Sequence, residues 1–230
     1  MGKGKQMSRQ RADLVIVSRG LAESRAKAQA AIEAGGVVAD GVTVRKASDL
    51  IAEDAALEVT PPHPWVSRGG VKLAHALDVF AIDPTDRVCL DVGASTGGFT
   101  QVLLSRGARR VYAVDVGSGQ LHASLRADAR VVSLESADAR ALTREEIAEA
   151  PSLIVCDVSF IGAAKALAVP LSLAEERADL VVLIKPQFEA GPHKSGALSE
   201  EAARAACVSA LASLDALEGF CLVASTDSPL

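Results

Sequence analysis

Three side chains that are hard to place without a use stand far apart in the chain. Lys72 follows two glycines in "SRGGVKL" at the mouth of a helical stretch. Asp157 follows the apolar run "SLIVC". Lys185 comes directly after "ADLVVLI", where a lysine is costly to bury unless it is paired or useful. Singly, each has a plain explanation: helix punctuation, a loop acid, a lysine emerging to solvent. Brought together they would form a Lys–Asp–Lys cluster, a group able to position charge and move a proton.

A fourth feature would have to sit beside them. "LDVGASTGGF" ends an apolar run and opens a helical one, with Asp91, Gly93, Ser95, Thr96, Gly97, Gly98 and Phe99. Glycines at a strand-to-helix turn let the backbone approach a ligand closely. A dinucleotide pocket is the first alternative, but its G-x-G-x-x-G spacing is absent and Asp91 stands two residues before the first glycine. A carboxylate there would repel a pyrophosphate, yet could help hold the cationic amino-acid end of S-adenosylmethionine. Asp115, followed by Val116, stands 24 residues after Asp91, about where a carboxylate pairs with ribose hydroxyls. Asp138 lies past the third apolar run, placed to meet an adenine edge. Each acid alone reads as a solvated loop residue; three at consecutive strand ends beside a glycine loop favour an S-adenosylmethionine pocket.

The elements that must position these residues are legible as alternation. "RVCLDVG", "RRVYAVDVG", "ARVVSLE", "SLIVCDVSF", "ADLVVLIKP" and "GFCLVAS" read as six strands. Helical stretches near 98–106, 120–127, 143–149, 162–174 and 197–217 separate them. Continuous apolar strands alternating with helices predict a doubly wound, mostly parallel α/β sheet of Rossmann type, with ligands at the carboxyl ends of the strands.

Ahead of that lies a smaller α+β unit. Residues 1–10 read as a flexible basic arm and 11–60 as a compact unit. The latter has a helix ending at Gly20, a second from Glu23 to Ala34, a hairpin turning at Asp40-Gly41 and a closing strand from Ala56 to Val59. "TPPHPW" predicts a stiff linker over 61–66, with the second domain at 67–230.

Charge divides the same way. Up to Lys27 the chain carries Lys3, Lys5, Arg9, Arg11, Arg19, Arg25 and Lys27 against Asp13 and Glu23, although the net charge of the 230 residues is −5. A basic head on an acidic body suits a polyanion-binding module. Aromatics are only 3%, so any stacking platform for nucleic acid would be thin. Cys89, Cys156, Cys207 and Cys221 lack metal-ligand spacing, which predicts reduced thiols in a cytoplasmic protein and no metal site. No apolar run approaches the roughly 18 residues of a membrane span.

In their order along nearly the whole chain, "SRGGVKL", "LDVGASTGGFTQVLL", "VYAVDVG", "CDVSF" and "LIKPQFEAG" resemble the TlyA (haemolysin A) family of FtsJ-type RNA ribose methyltransferases. The first unit resembles the RNA-binding module of small-subunit ribosomal protein four. The resemblance implies methyl transfer from S-adenosylmethionine to the 2′-hydroxyl of a cytidine in ribosomal RNA of the large subunit. The partner would be the ribosomal subunit or its precursor, with no membrane and no metal. It maps three members of a Lys-Asp-Lys-Glu tetrad onto Lys72, Asp157 and Lys185, and sets Arg11, Arg19, Arg25, Lys27 and Arg68 against RNA. A ribose hydroxyl is a poor nucleophile until its proton is withdrawn. Lys185, desolvated beside a second ammonium, could take that proton, with Asp157 orienting it and Lys72 placing the ribose. The family's Glu lies on a last strand after "DSP"; the sequence here stops at "STDSPL", so that strand and that Glu are expected to be missing. Two alternatives remain: a pore-forming haemolysin, and an RNA-binding protein that holds the cofactor without turnover.

Overall fold

The computed structural model describes residues 8–190 and 198–230. Lys3 and Lys5 of the basic head, and the final glycine of "LIKPQFEAG", lie outside the described residues. The chain divides after Pro64 into two compact units.

The first unit runs β1 (Arg9–Arg11), α1 (Ala12–Ser18), α2 (Arg25–Glu33), β2 (Val37–Ala39), β3 (Val42–Thr43), β4 (Leu50–Ala52) and β5 (Leu57–Val59). Ala12, Val15 and Ile16 put one face of α1 inside, and Ala28, Ala31 and Ile32 do the same for α2. The Ser24 hydroxyl accepts from the Lys27 amide and caps α2. β2 pairs antiparallel with β3 and β5, and the β2–β3 turn places both Asp40 (φ 50) and Gly41 (φ 78) in the left-handed region, as a type I′ hairpin requires. One expectation changes. Arg9 and Gln10, predicted within the arm over 1–10, belong to β1, because β4 offers them a ladder: Arg9 pairs with Ala52 and Gln10 with Ile51. A strand that finds backbone partners is worth more than its polar composition suggests.

The second unit runs α3 (Arg68–Val79), β6 (Val88–Val92), α4 (Gly98–Ser105), β7 (Arg110–Asp115), α5 (Ala123–Arg126), β8 (Val131–Glu135), β9 (Leu153–Cys156), α6 (Ala163–Ser172), β10 (Asp179–Val182), α7 (Pro186–Glu189) and α8 (Glu200–Asp215). The five strands form one parallel sheet in the order β10-β9-β6-β7-β8. Every residue of central β6 is buried. Cys89 packs with Leu73, Leu77 and Leu103 on one face of the sheet, while Leu90 packs with Ile154 and Leu167 on the other. Cover on both faces is why the strands read as unbroken apolar runs.

Three further expectations are corrected. Trp65 and Val66, predicted in the linker, pack against the second unit's core; the Trp65 ring lies where a Gly70 side chain would be, and the Val66 amide donates to Gln101 Oε1 at 2.6 Å. No helix forms over 143–149. Glu146 turns back to accept from the Thr143 amide at 2.9 Å and Ile147 is wholly buried, so one anchored turn replaces a helix too short to propagate. "GFCLVAS" is not a strand: it pairs with none of the described strands, and Val223 is 90% exposed. β propensity without a ladder does not hold a strand.

α3 and α4 meet at their first turns. A Cβ on Gly98 would run into the Ser67 hydroxyl and lie 2.9 Å from the Gly70 amide nitrogen. Gly98→Ala must therefore push α3 off α4. We expect a loss of about 1–3 kcal/mol in urea unfolding, the usual scale of overpacking; an unchanged midpoint would mean that α3 gives way freely.

Candidate active site

Chain order reverses direction in the sheet between β6 and β9, and the crevice outside the carboxyl ends of such a strand pair is where α/β sheets bind ligands. Gly93 leaves β6 with φ +88, and a Cβ on it would lie 2.9 Å from the Asp157 carbonyl oxygen. The two loops therefore touch backbone to backbone. They open a cleft lined by Gly93, Ser95, Thr96, Gly98 and Phe99 on one side and by Asp157, Ser159 and Lys185 on the other, with Gly69 of α3 at its edge. Gly97 is set back as the cap of α4.

Two of the three candidate catalytic side chains meet here. Lys185, at the start of α7, places Nζ 2.7 Å from Asp157 Oδ1 and donates to Ser159 Oγ at 2.8 Å. Both members of the pair are about one-fifth exposed (21% each), so little water screens them. Lys72 does not join the pair: it makes no hydrogen bond or ion pair among the described residues, though it is half-buried. It shares a helix face with Gly69, three residues back, and helical side chains lean toward the N-terminus, here toward the cleft edge.

The carboxylates expected around the cofactor stand in different environments. Asp91 is wholly buried; Thr100 Oγ1 donates to its Oδ2 at 2.7 Å, and its Oδ1 has no partner. Burial pushes its carboxyl up to about 7, the Thr100 hydrogen bond opposes that, and the charges of Asp157 and Asp115 add to it. Asp115 closes β7, accepting from the Ser95 amide at 2.8 Å and the Gly117 amide at 2.7 Å. A carboxylate has about four acceptor sites, so capacity for hydroxyl donors remains. Val116 beside it is 74% exposed. Asp138 caps a short 3-10 turn and is clamped by Arg140 at 2.6 Å, which holds its carboxyl down at about 2; it does not line the cleft.

Of the cations expected to meet RNA, Arg11 and Arg25 both bind the buried Asp13 carboxylate. Arg19 donates to the Ala55 carbonyl and Lys27 pairs with Glu23. Arg68 is exposed with no hydrogen bond or ion pair among the described residues.

Several site residues escaped the sequence reading. Ser159 holds Lys185, and its only signal was its place two residues after Asp157. Thr100, on the next helix, donates to Asp91. Phe160 is 92% exposed at φ +68 and packs against Phe188 with ring centroids 5.0 Å apart. A bulky residue in that backbone region is strained, and strain of this kind gathers at functional sites.

Comparison with known proteins places the chain in a family. Residues 65–229 match the FtsJ-like methyltransferase family and residues 10–56 match the S4 domain. The chain is 50% identical over 190 residues to the 16S/23S rRNA (cytidine-2'-O)-methyltransferase TlyA of Mycobacterium tuberculosis, covering 82% of this chain and 71% of that protein. It is 45% identical over 181 residues to Hemolysin A of Brachyspira hyodysenteriae, covering 78% and 75%. A solved structure from Streptococcus thermophilus, which bears a provisional hemolysin name, superposes with TM-score 0.66 at 36% identity, covering 90% of this chain and 78% of that one.

The Asp91 carboxyl makes a pH prediction. Its value is near 7 in the fold and roughly 3.9 when unfolded. Between those values the folded chain holds a proton that the unfolded chain has released. Stability from this group is therefore full below about pH 4 and falls as pH rises through about 7. Asp91→Asn should flatten that decline, seen as a smaller difference between urea midpoints at pH 5 and pH 8 than in the unaltered protein; equal differences would place the charge elsewhere.

Proposed function

The chain belongs to the FtsJ-like methyltransferase family and to its TlyA branch, and we propose that it transfers a methyl group from S-adenosylmethionine to the ribose 2′-hydroxyl of a cytidine in ribosomal RNA. The observation that carries this reading is the Lys185–Asp157 ion pair at the switch-point cleft, 2.7 Å across and facing the glycine loop. A lysine held in place by a carboxylate at that edge, and able to act as the neutral amine, is what activation of a weak hydroxyl nucleophile asks for.

The residues present fit the cofactor. Gly93 and Gly98 line the cleft beside Asp157 and Lys185, and Asp115 faces the loop with acceptor capacity to spare. Asp115 and Val116 would hold the adenosine ribose, the loop from Gly93 to Phe99 the amino-acid end, with Asp91 beneath it; Asp138, held by Arg140, takes no part. When bound, S-adenosylmethionine supplies a methyl group on a positively charged sulfur.

The chain's own residues supply the rest. Asp157 fixes Lys185 in place, and the Ser159 hydroxyl 2.8 Å from Nζ marks a position where a hydroxyl fits against that nitrogen. Once Nζ has released its ammonium proton to solvent, a ribose hydroxyl taking that position could pass its own proton to the neutral amine of Lys185 acting as general base. Lys72, on the α3 face that carries Gly69, would steady the ribose and its phosphate. Phe160, exposed beside Ser159, offers a face on which a base could stack. Arg11, Arg19, Arg25, Lys27 and Arg68 would meet the RNA backbone, and a ribosomal substrate places the work in the cytoplasm. Some relatives carry hemolysin names; among the described residues no helix is long and apolar enough to cross a membrane.

Tritiated methyl transfer to ribosomal subunits, beside calorimetric cofactor binding, tests the proposal. Lys185→Ala and Lys72→Ala should each lower transfer on the order of a hundredfold or more while cofactor affinity stays, with the double variant scarcely worse than either. Near-normal transfer by Lys72→Ala would remove that lysine from the chemistry. Asp115→Ala should instead weaken cofactor binding about ten- to a hundredfold, the scale of a lost charge-assisted hydrogen bond. Unchanged affinity would move the ribose elsewhere.

A further inference from the structure

Asp13 is the one buried charged residue among the described residues of the first unit. Its carboxylate receives hydrogen bonds from three side chains on two elements other than its own helix. Arg11 of β1 donates with Nε to Oδ1 and with Nη2 to Oδ2, both at 3.0 Å. Arg25 of α2 donates to Oδ2 with Nε at 3.3 Å and Nη2 at 3.0 Å, and Gln29 adds Nε2 at 2.9 Å. Arg11 foremost, then Gln29 and Arg25, keep the Asp13 carboxyl well below the usual carboxylate range despite its burial.

The two guanidiniums are fixed on their inner edges only. The Arg11 side chain remains 41% exposed and that of Arg25 56% exposed, while Asp13 shows nothing to solvent. Each guanidinium has five N–H donors and spends two here, so the outward edges still carry donors and the anion that holds them is out of reach. Two planar forks anchored on one carboxylate lie close enough together to meet one phosphate or two adjacent ones. A cation already held in its binding geometry loses less freedom on binding than a loose one.

We propose that Asp13 is a positioning residue that holds Arg11 and Arg25 as a double fork for the phosphate backbone of the RNA. This rests on the reading of the first unit as RNA-binding and goes beyond it by assigning the geometry to a buried acid. A simple charge count says the reverse: an aspartate between two arginines cancels a charge and should weaken the attraction for RNA.

The two accounts differ in sign. In the full chain, affinity for purified large ribosomal subunits is measured at fixed salt for Asp13→Asn, Arg11→Ala, Arg25→Ala and Arg25→Lys, with thermal unfolding alongside. The double fork predicts that Asp13→Asn weakens binding about tenfold although it makes the protein more positive by one charge. It also predicts that Arg25→Lys, which keeps the charge and loses the planar fork, weakens binding to a similar degree. Tighter or unchanged binding by Asp13→Asn, with both arginine-to-alanine variants weakened, would overturn the proposal and leave the RNA-binding reading standing. Unchanged binding by every arginine variant would overturn that reading, and the proposal with it. If Asp13→Asn proves unfolded at the assay temperature, Arg25→Lys decides: full affinity overturns the fork, and a loss of about tenfold upholds it.

Discussion

The second unit depends on backbone segments lying closer together than a side chain would allow. Gly93 leaves β6 against the carbonyl of Asp157, and Gly98 begins α4 beneath Ser67 and Gly70 of α3. These approaches bring three parts of the chain, near residues 70, 95 and 157, around one cleft. If either loop were thicker by a methyl group, the Asp157–Lys185 pair would stand away from the glycine loop. The parallel sheet supplies the rigid frame. Its β6 and β9 strands run side by side in register, Val92 opposite Cys156, so their loops must leave at the same level.

Two buried carboxylates show how burial and donors together set charge. Asp13 receives donors on both oxygens and stays ionised inside the first unit. Asp91, equally buried, accepts from Thr100 and feels the charges of Asp157 and Asp115, so its carboxyl resists ionisation. The same residue type acts in one place as an anchor for cations and in the other as a group poised near neutrality beneath a glycine loop. The donors decide between the two: cationic guanidiniums outweigh desolvation at Asp13, whereas at Asp91 desolvation outweighs a neutral threonine.

The cleft is sparse in aromatics, as the composition requires, yet one of the five phenylalanines stands almost fully exposed at its rim. Phe160 is held there by a left-handed backbone and by the ring of Phe188. Lys185 caps the helix that carries Phe188, so the turn that sets the ion pair also sets the aromatic pair. Thus the short stretch after β10 positions both a charged and an apolar contact from four residues.

Much of this was legible in the residue pattern. Apolar runs at strand length separated by helices can bury themselves as a covered parallel sheet, so the class of fold and the strand-end placing of Asp91, Asp115, Asp157 and Lys185 followed from it, whereas the switch point between β6 and β9 came from the strand order. The Asp40-Gly41 turn was equally local. Tertiary structure decided what depends on partners distant in sequence: that "GFCLVAS" finds no ladder, that Arg9–Arg11 does, and that Trp65 joins the second unit's core. It also decided which charged side chains meet. Asp157 with Lys185, Asp13 with Arg11 and Arg25, and Asp138 with Arg140 share the same residue types, but only three-dimensional packing sets which pairs are shielded from water and which are left to bind something else.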